Sequence, residues 1–182
     1  MIAAVDSFVL QGIEAVRCEV ETDLSNIGLH LTTILGLPDA AVREAIERVR
    51  TAMVNSGYRF PQLRLTVNLA PAHVRKEGPV YDLPIAVAQL TAKGTIQAVD
   101  DPVVQAHDLP MIDVGTYLVA GELALDGRVR PVRGVISLAM LARVLGRRGV
   151  IVPEENAPEA ATVDGVEVVG VGTLTQVVEL LN

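Results

Sequence analysis

With 182 residues, half of them hydrophobic and 20% charged, the chain can bury the core of one domain, or of one domain with a small appendage, and is not a disordered tail. A net charge of −7, a single cysteine and the lack of Trp exclude a uniformly basic nucleic-acid glove, an internal disulfide, a Cys-rich metal site and a strong base-stacking platform. No apolar run approaches the roughly 20 residues that cross a bilayer, Met1–Val9 lacks the basic start of a signal peptide, and the lone Cys18 fits a reducing compartment, so a cytoplasmic location without a membrane partner is expected.

The chain opens on strands. Cys18, Val20 and Thr22 alternate with Glu19, Glu21 and Asp23, a period of two that buries one face. A Gln11-Gly12 turn lets Ser7–Leu10 and Ile13–Asp23 form an antiparallel pair. Leu31–Leu35, ending at Gly36, reads as a short buried strand. A helix then starts at Pro38-Asp39, where proline needs no donor and the aspartate accepts free N–H groups. Val42, Ile46, Val49 and Met53 recur on its apolar face, Arg43/Glu47 and Glu44/Arg48 stand four apart, and Gly57 stops it. Leu63–Leu69 alternates as a strand, with Leu63, Leu65, Val67 and Leu69 on one side. Asp82 has N-cap character before a helix from Leu83 to about Lys93, with Pro84 harmless in its first turn and Gly94 at its end.

Gly94–Gly115 is rich in Asp and Pro and reads as a long mobile connection. Thr116–Leu125 and Arg128–Val132 flank Asp126-Gly127, a hairpin signal because both turn positions tolerate positive φ. Gly134–Leu145 is a helix closed by Gly146, Gly149–Val152 a strand, Asn156–Ala161 a short helix, Val166–Val171 a strand and Leu174–Leu181 a terminal helix. Strands and helices mix without strict alternation, so the expected class is α+β, or a mixed-sheet α/β.

Charge is unevenly spread. From Gly127 to Pro153 there is no acid, whereas Arg128, Arg130, Arg133, Arg143, Arg147 and Arg148 all fall there. Earlier, Arg75-Lys76-Glu77-Gly78-Pro79 forms a turn before a helix N-terminus, where free N–H groups and the helix dipole favour anions. Together these residues make a candidate anion-binding face, open to DNA as a partner; the plainer reading is a set of solvated charges.

Other chemistry finds little support. Neither Lys76 nor Lys93 sits in a Gly-x-x-x-x-Gly-Lys-Ser/Thr loop, so the chain alone should not hydrolyse ATP, and no cofactor is expected on it. His30, His73 and His107 lack metal spacing, the His107-Asp108 pair reads as solvated, and no metal site is expected. None of Ser7, Ser25, Ser56 and Ser137 stands in a Gly-x-Ser-x-Gly elbow, and Cys18 should pack rather than react. Tyr81-Asp82 offers an acid/base pair, although the cap role of Asp82 is simpler.

The blocks Gly36–Glu44, Val49-Arg50, Asn55–Tyr58, Asn68–Ala86, Gly121–Gly134 and Ile151–Ala157, in that order, resemble the N-terminal domain of the ComM/YifB family, AAA+ ATPases related to the magnesium-chelatase ATPase subunit. Gly28-Leu29-His30 departs from that family's usual Gly-Leu-Pro at this point. The resemblance covers essentially the whole chain and implies one domain over residues 1–182 with the ribosomal protein S5 domain 2-like fold, similar to the Lon proteolytic domain. It places the Walker motifs, with ATP and Mg, in a part of the full-length protein that residues 1–182 do not contain. Lon carries its nucleophilic serine after Lys-Asp-Gly-Pro and its lysine base after Pro-Ile-Gly-Gly-Leu-Lys-Glu. Here Val80 follows Lys76-Glu77-Gly78-Pro79, and Leu138 stands at the lysine position. A Ser–Lys dyad needs a hydroxyl and an amine in hydrogen-bond reach, so no peptidase activity is expected.

The resemblance further implies a full-length hexameric ring moving DNA during natural transformation or recombination, as a branch-migration motor. Within it this domain would guide DNA through its basic residues or stiffen the ring. The competing reading is a protein–protein module whose arginines meet acidic patches of neighbouring subunits. Residual peptidase or chelatase catalysis by this chain has no residues behind it.

Overall fold

The computed structural model describes residues 1–97 and 112–182. The His107-Asp108 pair and most of the Gly94–Gly115 connection lie outside the described residues. Nine strands are described: β1 (Ile2–Gln11), β2 (Glu14–Ser25), β3 (Thr32–Leu35), β4 (Arg64–Ala70), β5 (Tyr117–Val119), β6 (Glu122–Leu123), β7 (Val129–Arg130), β8 (Gly149–Pro153) and β9 (Glu167–Val171). The helices are α1 (Ala40–Asn55), α2 (Asp82–Ala92), α3 (Val135–Val144), α4 (Ala157–Ala160) and α5 (Leu174–Leu181). Seven strands form one sheet in the order β3-β4-β2-β1-β5-β8-β9, and β6-β7 pair separately. The β1–β2 and β2–β4 pairings are antiparallel and the other four pairings of the large sheet are parallel, so the sheet is mixed and mainly parallel.

Alternation decides which side of the sheet each residue joins. Cys18, Val20 and Leu24 of β2 and Leu65, Val67 and Leu69 of β4 pack with α1, α2 and α5 in one core. Phe8, Leu118, Val150 and Val152 face the other way and pack with α3 and Ala160 in a second. Helix α2 is buried on nearly every side, which is why Leu83–Ala88 reads as a continuous apolar run instead of a stripe. Each fully buried Leu or Ile there contributes about 1.5–3 kcal/mol.

Asp39 caps α1 as expected, accepting from Val42 N at 2.8 Å, and Gly94 (φ +75) and Gly146 (φ +64) close α2 and α3 in the left-handed region. Two expectations need correction. The Leu31–Leu35 run is an edge strand, half-buried, with Leu31 and Leu35 exposed; a short apolar run cannot reveal whether a second neighbour exists. Thr116–Leu125 is two elements: Tyr117–Val119 is a fully buried parallel strand between β1 and β8, and only Glu122-Leu123 pairs with β7. The break falls at Gly121, where an added Cβ would lie 3.0 Å from Val129 and 3.1 Å from Leu83.

Candidate functional site

The segment Arg75–Pro79 is anchored to the start of α1. Lys76 N donates to Leu37 O at 3.1 Å and Asp39 N donates to Lys76 O at 3.0 Å. Asp39 divides its carboxylate: Oδ1 caps Val42 N, and Oδ2 accepts from Gly78 N at 3.2 Å. The Gly78 N–H, expected to meet an anion, is therefore already held by a carboxylate of the chain itself. Gly78 has φ +79, a conformation that favours glycine, and it turns the chain into a 3-10 turn at Pro79–Tyr81 that runs on into α2.

Beside this turn lies a groove of about 820 Å³. Phe8–Gln11 of β1 form one wall, and Gly78–Tyr81 and Pro131–Arg133 form others. Its apolar lining includes Leu10, Val74, Val80 and Val132; among the described residues its lining contains no Ser, Thr, Cys, His or Lys. Val80 is half-buried there, while Leu138 is fully buried in the second core. Of the serines, Ser137 Oγ donates to Ile13 O at 2.8 Å, Ser25 Oγ accepts from Ile27 N at 3.2 Å, and Ser7 is buried with no hydrogen-bond partner for its Oγ among the described residues. Tyr81 supplies the one hydroxyl in the lining among the described residues, and burial raises its pKa far above the usual phenol range. Cys18 is buried, and burial pushes its thiol up to about 12, so it packs and holds no thiolate at neutral pH.

The candidate basic face is largely spent within the chain. Lys76, expected at the surface, is fully buried; its Nζ donates to Pro71 O, and burial lowers its pKa. Arg75 pairs with Glu77 at 3.2 Å, Arg128 with Asp126 at 2.8 Å, Arg130 with Glu122 at 3.3 Å and Arg148 with Glu167 at 2.7 Å. Arg147 reaches Asp6 and donates to Gly115 O at 2.7 Å. The exposed pairs among these add little stability, but each pair, the part-buried Arg147–Asp6 included, neutralises a charge that DNA would need. Of the residues of this candidate face, Arg133 and Arg143 are exposed with no ion pair among the described residues. The stretch is acid-free in sequence and not in space, because folding brings acids from β1, β6 and β9 to it.

Asp82 is also reassigned. It lies inside the first turn of α2 and makes no cap bond. Its fully buried carboxylate accepts from Arg48 Nε at 2.8 Å, Arg48 Nη2 at 2.9 Å and Leu123 N at 3.1 Å, tying α1, α2 and β6 together. Burial pushes the carboxyl up to about 6 against the pull of Arg48, and the same contact raises the Arg48 pKa. The (i, i+4) partner of Arg48 on its own helix, Glu44, is reduced to a 3.8 Å contact.

No group of three or more His, Cys, Asp or Glu among the described residues could hold a metal ion, and no described helix is long and apolar enough to cross a membrane. Lys93 Nζ donates to Arg59 O at 2.7 Å, Lys76 Nζ is buried on Pro71 O, and neither follows a phosphate-binding loop. Sequence reasoning missed Arg48 as the partner of Asp82, Asp39 as the ligand of Gly78 N–H and the β1 wall of the groove. The first two join residues more than 30 positions apart, a distance at which no local pattern signals contact.

Residues 20–156 match the family profile described as subunit ChlI of Mg-chelatase. The chain is 43% identical over 84% of its length to an uncharacterized protein YifB of Salmonella typhimurium, covering 27% of that protein. It is 38% identical over its whole length to the competence protein ComM of Haemophilus influenzae, covering 33% of it. It is 26% identical over 74% of its length to Lon protease 2 of Bacillus subtilis, covering 22% of it. The chain thus spans about a third of the length of the curated relatives it matches, and its mixed sheet with packed helices is consistent with an S5-like, Lon-like domain. A profile matched over most of the chain and relatives of this identity establish that it belongs to the family of the magnesium-chelatase subunit ChlI, in its ComM/YifB-like branch.

Proposed function

We propose that this chain is a non-catalytic protein-docking domain of a ComM-like AAA+ protein, one that supports assembly of the ring. In this reading ATP and Mg chemistry, and the contact with DNA during transformation or recombination, belong to the remainder of the full-length protein. One observation carries the proposal: among the described residues the groove beside Gly78 is lined by no Ser, Thr, Cys, His or Lys, while Val80 lines it and Leu138 is sealed in the core. Val80 and Leu138 stand in for the Lon-type nucleophile and base. The docking reading is favoured over the DNA-guiding one because Lys76 is buried and Arg75, Arg128, Arg130, Arg147 and Arg148 are paired, leaving Arg133 and Arg143 as the unpaired members of that face among the described residues.

Titration against duplex and forked DNA at 50 and 200 mM salt separates the two. Each neutralised duplex phosphate contributes about −0.9 to the slope of log K against log salt, so the two unpaired arginines of the candidate face, Arg133 and Arg143, add no more than about −2 to it. A slope of about −5 or beyond, reduced by Arg75→Ala, would overturn the docking assignment. Sedimentation velocity of the full-length protein, intact and lacking this domain, tests ring support directly: loss of the domain should shift the ring toward smaller species.

A further inference from the structure

We propose that the groove beside Gly78 receives an extended peptide segment, which adds as a β-strand to the free edge of Phe8–Gln11 and places a carboxylate on Arg133. This rests on the docking-domain reading and names the partner chemistry that the groove fits.

The main-chain argument comes first. β1 pairs with β2 along all ten of its residues, from Ile2↔Asp23 to Gln11↔Glu14. Along its other edge it pairs with β5 only at Asp6↔Leu118. Beyond that bridge Phe8–Gln11 meets no strand among the described residues, and it is this stretch that walls the groove. An unpaired edge is a template for another strand, and recessing it in a groove leaves room for one added chain while hindering edge-to-edge stacking. At about 3.3 Å per residue the four-residue edge matches roughly four residues of ligand. The volume of about 820 Å³ lies within the range of roughly 300–1,000 Å³ usual for binding sites.

Side-chain chemistry narrows the ligand. Leu10, Val74, Pro79, Val80 and Val132 offer apolar surface to alternate side chains of such a strand. The charged groups of the groove are satisfied by the chain itself, with one exception. Asp39 holds Val42 N and Gly78 N, Glu77 holds Arg75, and Glu122 holds Arg130. Arg133 is exposed in the lining with no ion pair among the described residues, and a guanidinium fork matches a carboxylate. That carboxylate comes from an acidic side chain or from a peptide C-terminus. The outer edges at β3 and β9 lack this setting, since neither strand lines the groove.

The test uses a random-decapeptide display library, synthesised with free and with amidated C-termini and panned on the immobilised chain. Enriched peptides are then titrated by amide NMR. The expected result is enrichment of alternating apolar peptides bearing a carboxylate, with shifts at Phe8–Gln11 and Val132-Arg133. Binding should weaken at least tenfold when alternate peptide amides are N-methylated, and again with Arg133→Glu. Survival of binding on C-terminal amidation assigns the carboxylate to a side chain; its loss assigns it to the C-terminus. No enrichment, indifference to N-methylation, shifts at Thr32–Leu35 instead, or concentration-dependent shifts in the groove without peptide (a second copy as occupant) would each overturn the proposal. An empty library with an intact effect of the domain on ring sedimentation would sink this inference and leave the docking role standing.

Discussion

Replacing Arg48 by Met strands a carboxylate inside the protein. Asp82 has no solvent exposure, and Arg48 supplies two of its three hydrogen bonds. Breaking a buried pair from one side costs about 3–5 kcal/mol. The two sides are unequal here, because Arg48 keeps 21% of its side chain in solvent and could still reach water if Asp82 were removed. At pH 7.5 we expect losses of about 3 kcal/mol for Arg48→Met and about 2 kcal/mol for Asp82→Asn, from a total stability of about 5–15 kcal/mol. Acidity should relieve one loss and not the other. Burial lifts the Asp82 carboxyl from 3.8 to about 6. A carboxyl raised in the folded state contributes stability that is fully present below pH 4 and is lost as pH rises through 6, a swing of about 3 kcal/mol. Without Arg48 the carboxyl rises further, so the Arg48→Met loss should shrink from pH 7.5 to pH 5 as the neutral acid forms. Asp82→Asn carries no such proton, so its own stability stays flat while the native protein gains, and its loss should grow by about 1 kcal/mol from pH 7.5 to pH 5. Urea unfolding followed by far-UV circular dichroism at pH 7.5, 6 and 5 reads all three proteins. A loss under about 1 kcal/mol for Arg48→Met at pH 7.5, or one that fails to shrink by pH 5, would refute the reasoning.

Two further outcomes follow from the same geometry. Cys18, buried with its thiol pushed to about 12, should resist a disulfide reagent at pH 8 in the native state and react at the rate of unfolding; rapid native labelling would contradict its packing role. Gly36 and Gly78 both have positive φ, but a Cβ at Gly36 would lie 2.0 Å from Leu69 O, whereas one at Gly78 meets nothing within 4 Å. Thermal unfolding should therefore show about 3–5 kcal/mol lost in Gly36→Ala and about 1–2 kcal/mol in Gly78→Ala, with similar losses counting against the close approach of β4 at Gly36.

Local chemistry was legible in the sequence and long-range pairing was not. The Gln11-Gly12 turn, the Asp39 cap, the α1 stripe and the terminal helix Leu174–Leu181 all express signals within a few residues. The edge position of β3 and the split at Gly121 depend on which strands meet, and a run of apolar residues is silent on that point. The same limit governs the site. Glu77-Gly78-Pro79 is a visible turn, and the absence of a serine after it is plain. That Lys76 points inward, however, is set by its bridge to Pro38, and the pairing of Arg147 with Asp6 spans 141 positions. A cluster of arginines in sequence describes a basic surface only when the fold brings no acids to it.

The central claim is that this scaffold performs no chemistry of its own. It is tested most directly by incubating the purified chain with casein and with a mixture of internally quenched decapeptides. The account predicts no cleavage above a buffer blank over a day. Turnover that survives repurification and disappears on substitution of Tyr81 or Arg133 in the groove would contradict it.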